Sequence, residues 1–268
     1  MRPFSFLNLC WRVLLLVGLV SGCNSGSSNS SSSSSSSSAI AKGIWSGTDS
    51  TSGQIVVGLI NSAGQADFIR GDGVQFIGTV QISGNTLAST VNGYAEFGYT
   101  LPDGSSTGLG TLNATVITST SIVGTLTFTS NIGTSYPGSW SLSYQTLSTT
   151  GSSLAAIAGA YTELSSVKNN NTGGKLTIST GGAVTSSGAA SGCTMNGSIG
   201  IGDSSTDIYE ISFTYSGCTG QWASLNDVPF TGLALVNTTQ SPSQLLIGVS
   251  GQTSTGTKYG LVNTLSLN

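Results

Sequence analysis

Few side chains in this sequence of 268 residues are equipped for chemistry, and their types narrow what it can be. There are four cysteines (Cys10, Cys23, Cys193, Cys218), ten acidic residues, seven basic ones and no histidine. Without histidine the chain has no Ser-His-Asp or Cys-His nucleophile, no imidazole metal ligand and no ordinary general base near neutral pH. Zinc sites of the usual Cys/His kinds lack their ligands. No Gly-Lys-Ser/Thr phosphate loop and no Gly-x-Gly-x-x-Gly turn after a strand occurs, which leaves nucleotide binding unsupported. A net charge of −3 without a basic cluster argues against nucleic acid as a partner. The expectation is therefore no catalytic residue, no metal and no cofactor.

The acidic groupings have plainer readings. Arg70-Gly71-Asp72-Gly73 contains the adhesion tripeptide Arg-Gly-Asp, but Asp-Gly is also what a tight hairpin needs for positive φ. Asp203 and Asp207 flank Ser204-Ser205-Thr206, a turn offering few carboxylates for the roughly six to eight oxygens calcium takes. Asp67 with Asp72, or Glu163 with Glu210, has the composition of a glycosidase pair. Nothing in the sequence brings either pair together.

Cys23 is the residue with the most specific surroundings. Arg2 and Arg12 bracket the lead into Val13-Leu-Leu-Leu-Val-Gly-Leu-Val20. Crossing a ~30 Å hydrocarbon layer takes roughly 20 apolar residues, so this short run reads as a secretory signal peptide over 1–22. Its end, Val20-Ser21-Gly22-Cys23, resembles the bacterial lipobox: an apolar residue, two small ones, then cysteine. The resemblance implies cleavage between Gly22 and Cys23, a diacylglycerol on the Cys23 thiol and a palmitate-bearing lipoprotein. Asn24 rather than Asp follows, which implies the outer membrane of the cell envelope. Residues 23–38 then form a lipid-anchored, Ser-rich linker ending in Ser30–Ser38. Its reach is roughly 20 Å on average and near 50 Å fully stretched.

Cys193 and Cys218 remain, each within Ser-Gly-Cys-Thr. An even pair in an exported chain predicts a disulfide. The strands beside it carry apolar residues at odd positions, Met195, Ile199 and Ile201 on one and Ile211, Phe213 and Tyr215 on the other. A 193–218 bond crosses odd with even, so the parity requires one β-bulge, which Gly192 or Gly217 can supply.

These residues must be positioned by strands. Gly contributes 38 residues and charged residues only 6% of the chain, and beyond the signal no window repeats apolar residues with helical period. A weak repeat, Ala39-Ile-Ala-Lys-Gly-Ile-Trp45 and Ala156-Ile-Ala-Gly-Ala-Tyr161, marks two β-domains, 39–148 and 154–268, joined by a linker at 149–153. Each holds about eight alternating stretches, the pattern of tandem antiparallel up-and-down barrels or sandwiches. One hairpin fixes a register: a Gly84-Asn85 turn puts Ser83 opposite Thr86, Ile82 opposite Leu87, Gly78 opposite Val91 and Phe76 opposite Gly93. Trp45, Trp140, Tyr161 and Trp222 read as core or barrel-end residues. Gly43-Ile44-Trp45 resembles the first strand of lipocalins and avidin-like barrels, although the arginine that covers this tryptophan in lipocalins has no counterpart.

The composite expectation is a non-enzymatic envelope lipoprotein, a binding or structural module on a flexible tether. The alternatives are a lipocalin-like carrier of a small apolar ligand and an inhibitor of an envelope-directed hydrolase. The partners implied are the membrane, through the lipid, and a protein or small apolar ligand.

Overall fold

Strict alternation of small apolar and hydroxyl side chains produces long, half-buried strands. The computed structural model describes residues 41–147, 151–164, 174–187 and 192–268. Gly22, Cys23, the signal segment and the serine tract lie outside the described residues, as do 148 at the end of the expected first domain and 149–150 of the expected linker. Among the described residues no helix is long and apolar enough to cross a membrane.

The first barrel contains β1 (Gly43–Asp49), β2 (Ile55–Ile60), β3 (Gln65–Arg70), β4 (Gln75–Thr79), β5 (Gln81–Ser83), β6 (Thr86–Tyr94), β7 (Thr107–Thr118), β8 (Ser121–Ser130) and β9 (Ser135–Gln145). The sheet order is β4-β3-β2-β1-β9-β8-β7-β6-β5, and β4 also pairs with β6, closing eight strands with β5 as a short arm. β7 illustrates the alternation: Gly110, Leu112, Ala114 and Val116 are buried, while Thr111, Asn113 and Thr115 face solvent. The predicted hairpin register holds at all four pairs. The ring nearest the vacant Cβ position of Gly93 is nevertheless Phe128, not its cross-strand neighbour Phe76.

The second barrel contains β10 (Gly159–Glu163), β11 (Lys175–Ile178), β12 (Ala183–Ser187), β13 (Thr194–Ile201), β14 (Ile208–Ser216), β15 (Pro229–Asn237), β16 (Gln244–Gln252) and β17 (Lys258–Leu267). These pair in sequence and close through β10–β17. A single helical turn, α1 (Leu154–Ile157), precedes it, capped by the Ser153 hydroxyl accepting from the Ala156 amide. A 3-10 helix, Gly220–Leu225, lies between β14 and β15.

The short repeat at the two domain starts is one device used twice. Trp45 is fully buried, and its indole N–H donates to the Ala41 carbonyl at 2.8 Å. Tyr161 is equally buried, and its hydroxyl donates to the Ile157 carbonyl at 2.8 Å. Both bonds reach back four residues. The last strand of each barrel lays a side chain over the glycine two residues before the ring, Tyr144 over Gly43 and Leu267 over Gly159, leaving no room for a Cβ. Tyr144 meets Trp45 edge-on at 5.3 Å.

Cys193 and Cys218 form a disulfide with their Cα atoms 4.1 Å apart. The β13–β14 ladder ends at Thr194 opposite Ser216, so an unbroken ladder would bring Cys193 to Gly217. Gly217, at φ 69°, turns the chain by one residue and delivers Cys218 instead. Asn226 then holds Cys218 from both sides, accepting from its amide at 2.8 Å and donating to its carbonyl at 3.1 Å.

Both barrels belong to one compact unit, Ser36–Asn268. Leu59, Ile69 and Tyr94 of the first and Leu233, Leu235 and Val262 of the second are buried without joining either barrel's interior cluster. Leu59, Ile69, Leu233 and Leu235 lie on the strands where β15 approaches β2 and β3. The amide of Gln75 spans this joint, donating to the carbonyls of Val249 at 3.0 Å and Leu261 at 3.3 Å. Further bonds are Asn61 Nδ2 to Glu210 Oε1 at 2.9 Å, Phe97 N to Gly260 O at 3.0 Å and Lys42 Nζ to Asp203 at 2.8 Å.

Asp67 lies inside the joint, 1% exposed, and neither carboxylate oxygen has a hydrogen-bond partner. It fits because Gly248 opposite has no Cβ to collide with it. Burial alone pushes its pKa up from 3.8 to about 8, so at neutral pH it is a neutral acid.

Two measurements test these readings. Replacing both Cys193 and Cys218 by serine removes a cross-link with sequence separation 25 and should lower stability by roughly 3–4 kcal/mol in urea titration; an unchanged midpoint would contradict it. For Asp67, the folded state keeps a proton that the unfolded chain releases above pH 4. Stability from this group is thus complete below about pH 4 and declines up to pH 8, by about 1.4 kcal/mol per pH unit. Asp67→Asn should exceed the parent in stability by a margin that widens from pH 5 to pH 8. Other titrations are common to both proteins and cancel; a margin independent of pH would refute the assignment.

Candidate functional site

The turns at one end of the first barrel are 50–54, 71–74 and 131–134, together with the much longer loop 95–106. Asp103 organises that loop. Its carboxylate accepts from the Ser105 amide at 3.0 Å, the Ser105 hydroxyl at 2.7 Å and the Ser130 hydroxyl at 2.5 Å. Burial raises its pKa, but the hydroxyls of Ser130 and Ser105 outweigh this and hold it well below the usual carboxylate range. The Asp103 amide donates to the Tyr136 hydroxyl at 3.1 Å, fastening the loop to β9. Leu101 and Ala95 turn under it and are buried.

Across the barrel mouth stands the Arg-Gly-Asp turn. Arg70 donates from Nε and Nη2 to the two Asp72 oxygens, each at 2.8 Å, so the tripeptide is closed on itself in a bidentate ion pair. Nη1 lies 3.8 Å from Asp49, and the guanidinium carbon is 5.9 Å from the Phe76 ring centre. Asp49 accepts from Ser52 Oγ at 2.8 Å and from the amides of Thr51 and Ser139 at 3.0 and 3.1 Å. Burial opposes ionisation there, but these donors and Arg70 keep Asp49 below its ordinary value. Between loop and turn is a cleft of about 240 Å³, floored by Phe76, Leu126 and Phe128 and walled by Pro102, Tyr136 and Pro137.

On its other flank the same loop faces the second barrel. A second cleft, about 200 Å³, opens between Ala95–Tyr99 and Lys258–Gly260. Ala95 and Glu96 border both clefts. Phe97 reaches across to Trp222, 4.9 Å between ring centres, and to Tyr259 at 5.5 Å. Lys258 donates to Asn92 Oδ1 at 3.1 Å. Partly exposed aromatics thus gather where two barrel ends meet.

The first barrel's interior is packed with rings. Phe68, Trp140, Phe76 and Phe128 form a chain of ring contacts at 5.1–5.7 Å through the first. The cavity beside them, bordered by Leu87, Leu112 and Trp140, measures about 10 Å³, no more than one water requires. Phe213 and Phe230 stack at 5.4 Å in the second. Glu163, an inward neighbour of Tyr161 in β10, has its pKa pushed up by burial to about 7. The Asn263 amide, in the orientation that satisfies both its ends, donates to Glu163 Oε1 at 3.2 Å.

The acidic residues singled out from sequence are scattered. Asp67 is sealed in the joint, whereas Asp72 is tied to Arg70 at the barrel mouth. Glu163 faces into the second barrel and Glu210 bonds outward to Asn61. Asp203 holds Lys42 and the amide and hydroxyl of Ser205, clasping the start of the first barrel to a turn of the second. Trp45, Trp140 and Tyr161 are core residues, but Trp222 lies at the surface cluster. Cys193 and Cys218 are joined; Gly22 and Cys23 lie outside the described residues.

Sequence reasoning passed over Phe97 and Tyr99. The available signal was electrostatic: between Asp72 and Glu163 the sequence holds only two charged residues, Glu96 and Asp103, and both are in loop 95–106. In comparisons with known proteins, no family model matches the chain and no curated protein matches it.

If Asp103 is the clamp of this loop, Asp103→Asn should leave the barrel's melting temperature nearly unchanged while chymotryptic cleavage after Phe97 or Tyr99 becomes markedly faster. Equal cleavage rates in the two proteins would show that the loop is held by other contacts.

Proposed function

We propose that this chain is a non-enzymatic lipoprotein of the bacterial envelope, anchored in the outer membrane through Cys23, whose two barrels form one binding module on a serine-rich tether. One observation carries the binding half of this reading. The first barrel's interior is packed with rings, while both clefts and the partly exposed aromatics lie at the joined barrel ends. A carrier of a small apolar ligand needs an enclosed chamber of some hundreds of Å³, typically about 300–1,000 Å³. The first barrel's interior cavity of about 10 Å³ does not serve that purpose, which favours, for that barrel, a partner that docks from outside.

The anchoring half rests on Val20-Ser21-Gly22-Cys23. Two or more acyl chains on one cysteine hold a protein to a bilayer where a single chain is marginal. The tether lets the barrels sample roughly 20 Å around the anchor. The non-enzymatic reading rests on the absence of histidine from the sequence and on the separation of Asp67 from Asp72 and of Glu163 from Glu210.

Labelling cells with radioactive palmitate tests the anchor. The wild-type chain should carry label and sediment with outer membranes, whereas Cys23→Ala should lose both properties. An unlabelled, soluble wild-type protein would end the lipoprotein reading. Affinity capture from envelope extracts, wild type against Phe97→Ala, tests the surface: the partner should be retained only by wild type.

A further inference from the structure

We propose that the two clefts flanking loop 95–106 are adjacent subsites for a neutral oligosaccharide. This rests on the reading of the joined barrel ends as the binding surface and names its ligand. At about 240 and 200 Å³, each cleft falls below the size of an enclosed small-molecule pocket. They are two shallow seats on either side of the Ala95–Glu96 ridge, a layout suited to a chain of repeating units with one unit in each seat.

The charge state argues for a neutral ligand. Arg70 is already engaged by Asp72 and approached by Asp49, Lys258 is engaged by Asn92, and Glu96, which borders both clefts, is only 5% exposed and presents little surface to a cation. An anionic ligand would have to break a bidentate ion pair to reach the guanidinium, and a cationic ligand would have to draw Asp72 away from it. Either leaves a half-buried charge without its partner, which is costly. A hydroxyl group requires neither. It can add a hydrogen bond at the open edges of the Arg70–Asp72 pair while the pair stays intact.

The apolar lining completes the match. A pyranose presents a face of C–H groups and an edge of hydroxyls, so its site needs aromatic surface beside planar polar groups. The first seat has the partly exposed ring of Tyr136 beside Arg70 and Asp72, over a floor that includes the buried Phe76. The second has Phe97 and Tyr259, with Trp222 behind Phe97. Large rigid rings bind with little loss of side-chain freedom, which suits a shallow site.

Trp222 supplies the readout, because Trp45 and Trp140 are buried in the first barrel. The full mature chain in detergent is titrated with neutral hexasaccharides of glucose, mannose, galactose and N-acetylglucosamine, with a sulfated hexasaccharide and a hexalysine peptide as charged controls. At least one neutral hexasaccharide should shift tryptophan emission saturably. Tyr259→Ala should weaken that binding by tenfold or more without changing the melting temperature, and Trp222→Phe should abolish the emission change while calorimetry still detects binding. Response to a charged probe alone, or to none, overturns the proposal, as does unchanged affinity in Tyr259→Ala. If no neutral glycan binds but envelope capture is still lost in Phe97→Ala, the binding surface stands and the ligand class is wrong. If capture also survives that change, both readings fall.

Discussion

A β-sheet with an open edge exposes a row of unpaired N–H and C=O groups, and most proteins guard such edges with charge, especially lysine. This chain has little charge to use: 6% of its residues are charged, and a stretch of 59 residues, 104–162, holds none. Edge protection must therefore come from geometry. Both sheets close, β4 onto β6 in the first barrel and β10 onto β17 in the second. Closure in turn demands inward side chains that fill a tube of fixed width, and the buried rings of Trp45, Phe68, Phe128 and Trp140 meet that demand. In the first barrel that filling leaves a cavity of about 10 Å³, too small for a ligand.

The seams need fixing as well as forming. In each barrel the first strand carries a buried aromatic bonded to a carbonyl four residues earlier, and the last strand covers the glycine beside it. Trp45 and Tyr161 pair directly with Tyr144 and Leu267. The bond fixes where the chain enters the barrel, and the ring contact fixes which strand closes it. Two sequences that share little else need the same Gly-x-aromatic step at the same structural position, which accounts for a repeat detectable over only a few residues. Architecture explains it without requiring a common ligand.

Strand positions were legible because period-two alternation and turn residues are local signals. The irregularity beside Cys218 was legible by parity, since residues 193 and 218 do not face each other across a regular ladder, but it takes the form of a turn at Gly217 after the ladder ends, not of a bulge within it. Asp67 was not. On β3 it occupies an outward position, where an acid is ordinarily solvated, and only the arrival of Gly248 from the second barrel buries it. The aromatic cluster at the joined barrel ends was hidden for the same reason. Phe97 is an unremarkable loop residue until Trp222 and Tyr259, more than a hundred residues later in sequence, are brought beside it. The Arg-Gly-Asp turn was correctly read as a turn, but its closure into an ion pair required the side-chain geometry.

Low charge also shapes how such a module can find its partner. Electrostatic steering raises association rates by concentrating field at a surface, and here most cations near the clefts are already paired. Complexes built on stacking and neutral hydrogen bonds form at ordinary diffusional rates and are individually weak. A tether changes that arithmetic. Confining the module within tens of Å of a surface raises its effective concentration for ligands on that surface without adding a contact. On the proposed reading, a ring-filled first barrel, clefts whose Arg70 and Asp72 are paired with each other and a serine-rich linker are parts of one solution, in which affinity is modest and proximity makes up the difference.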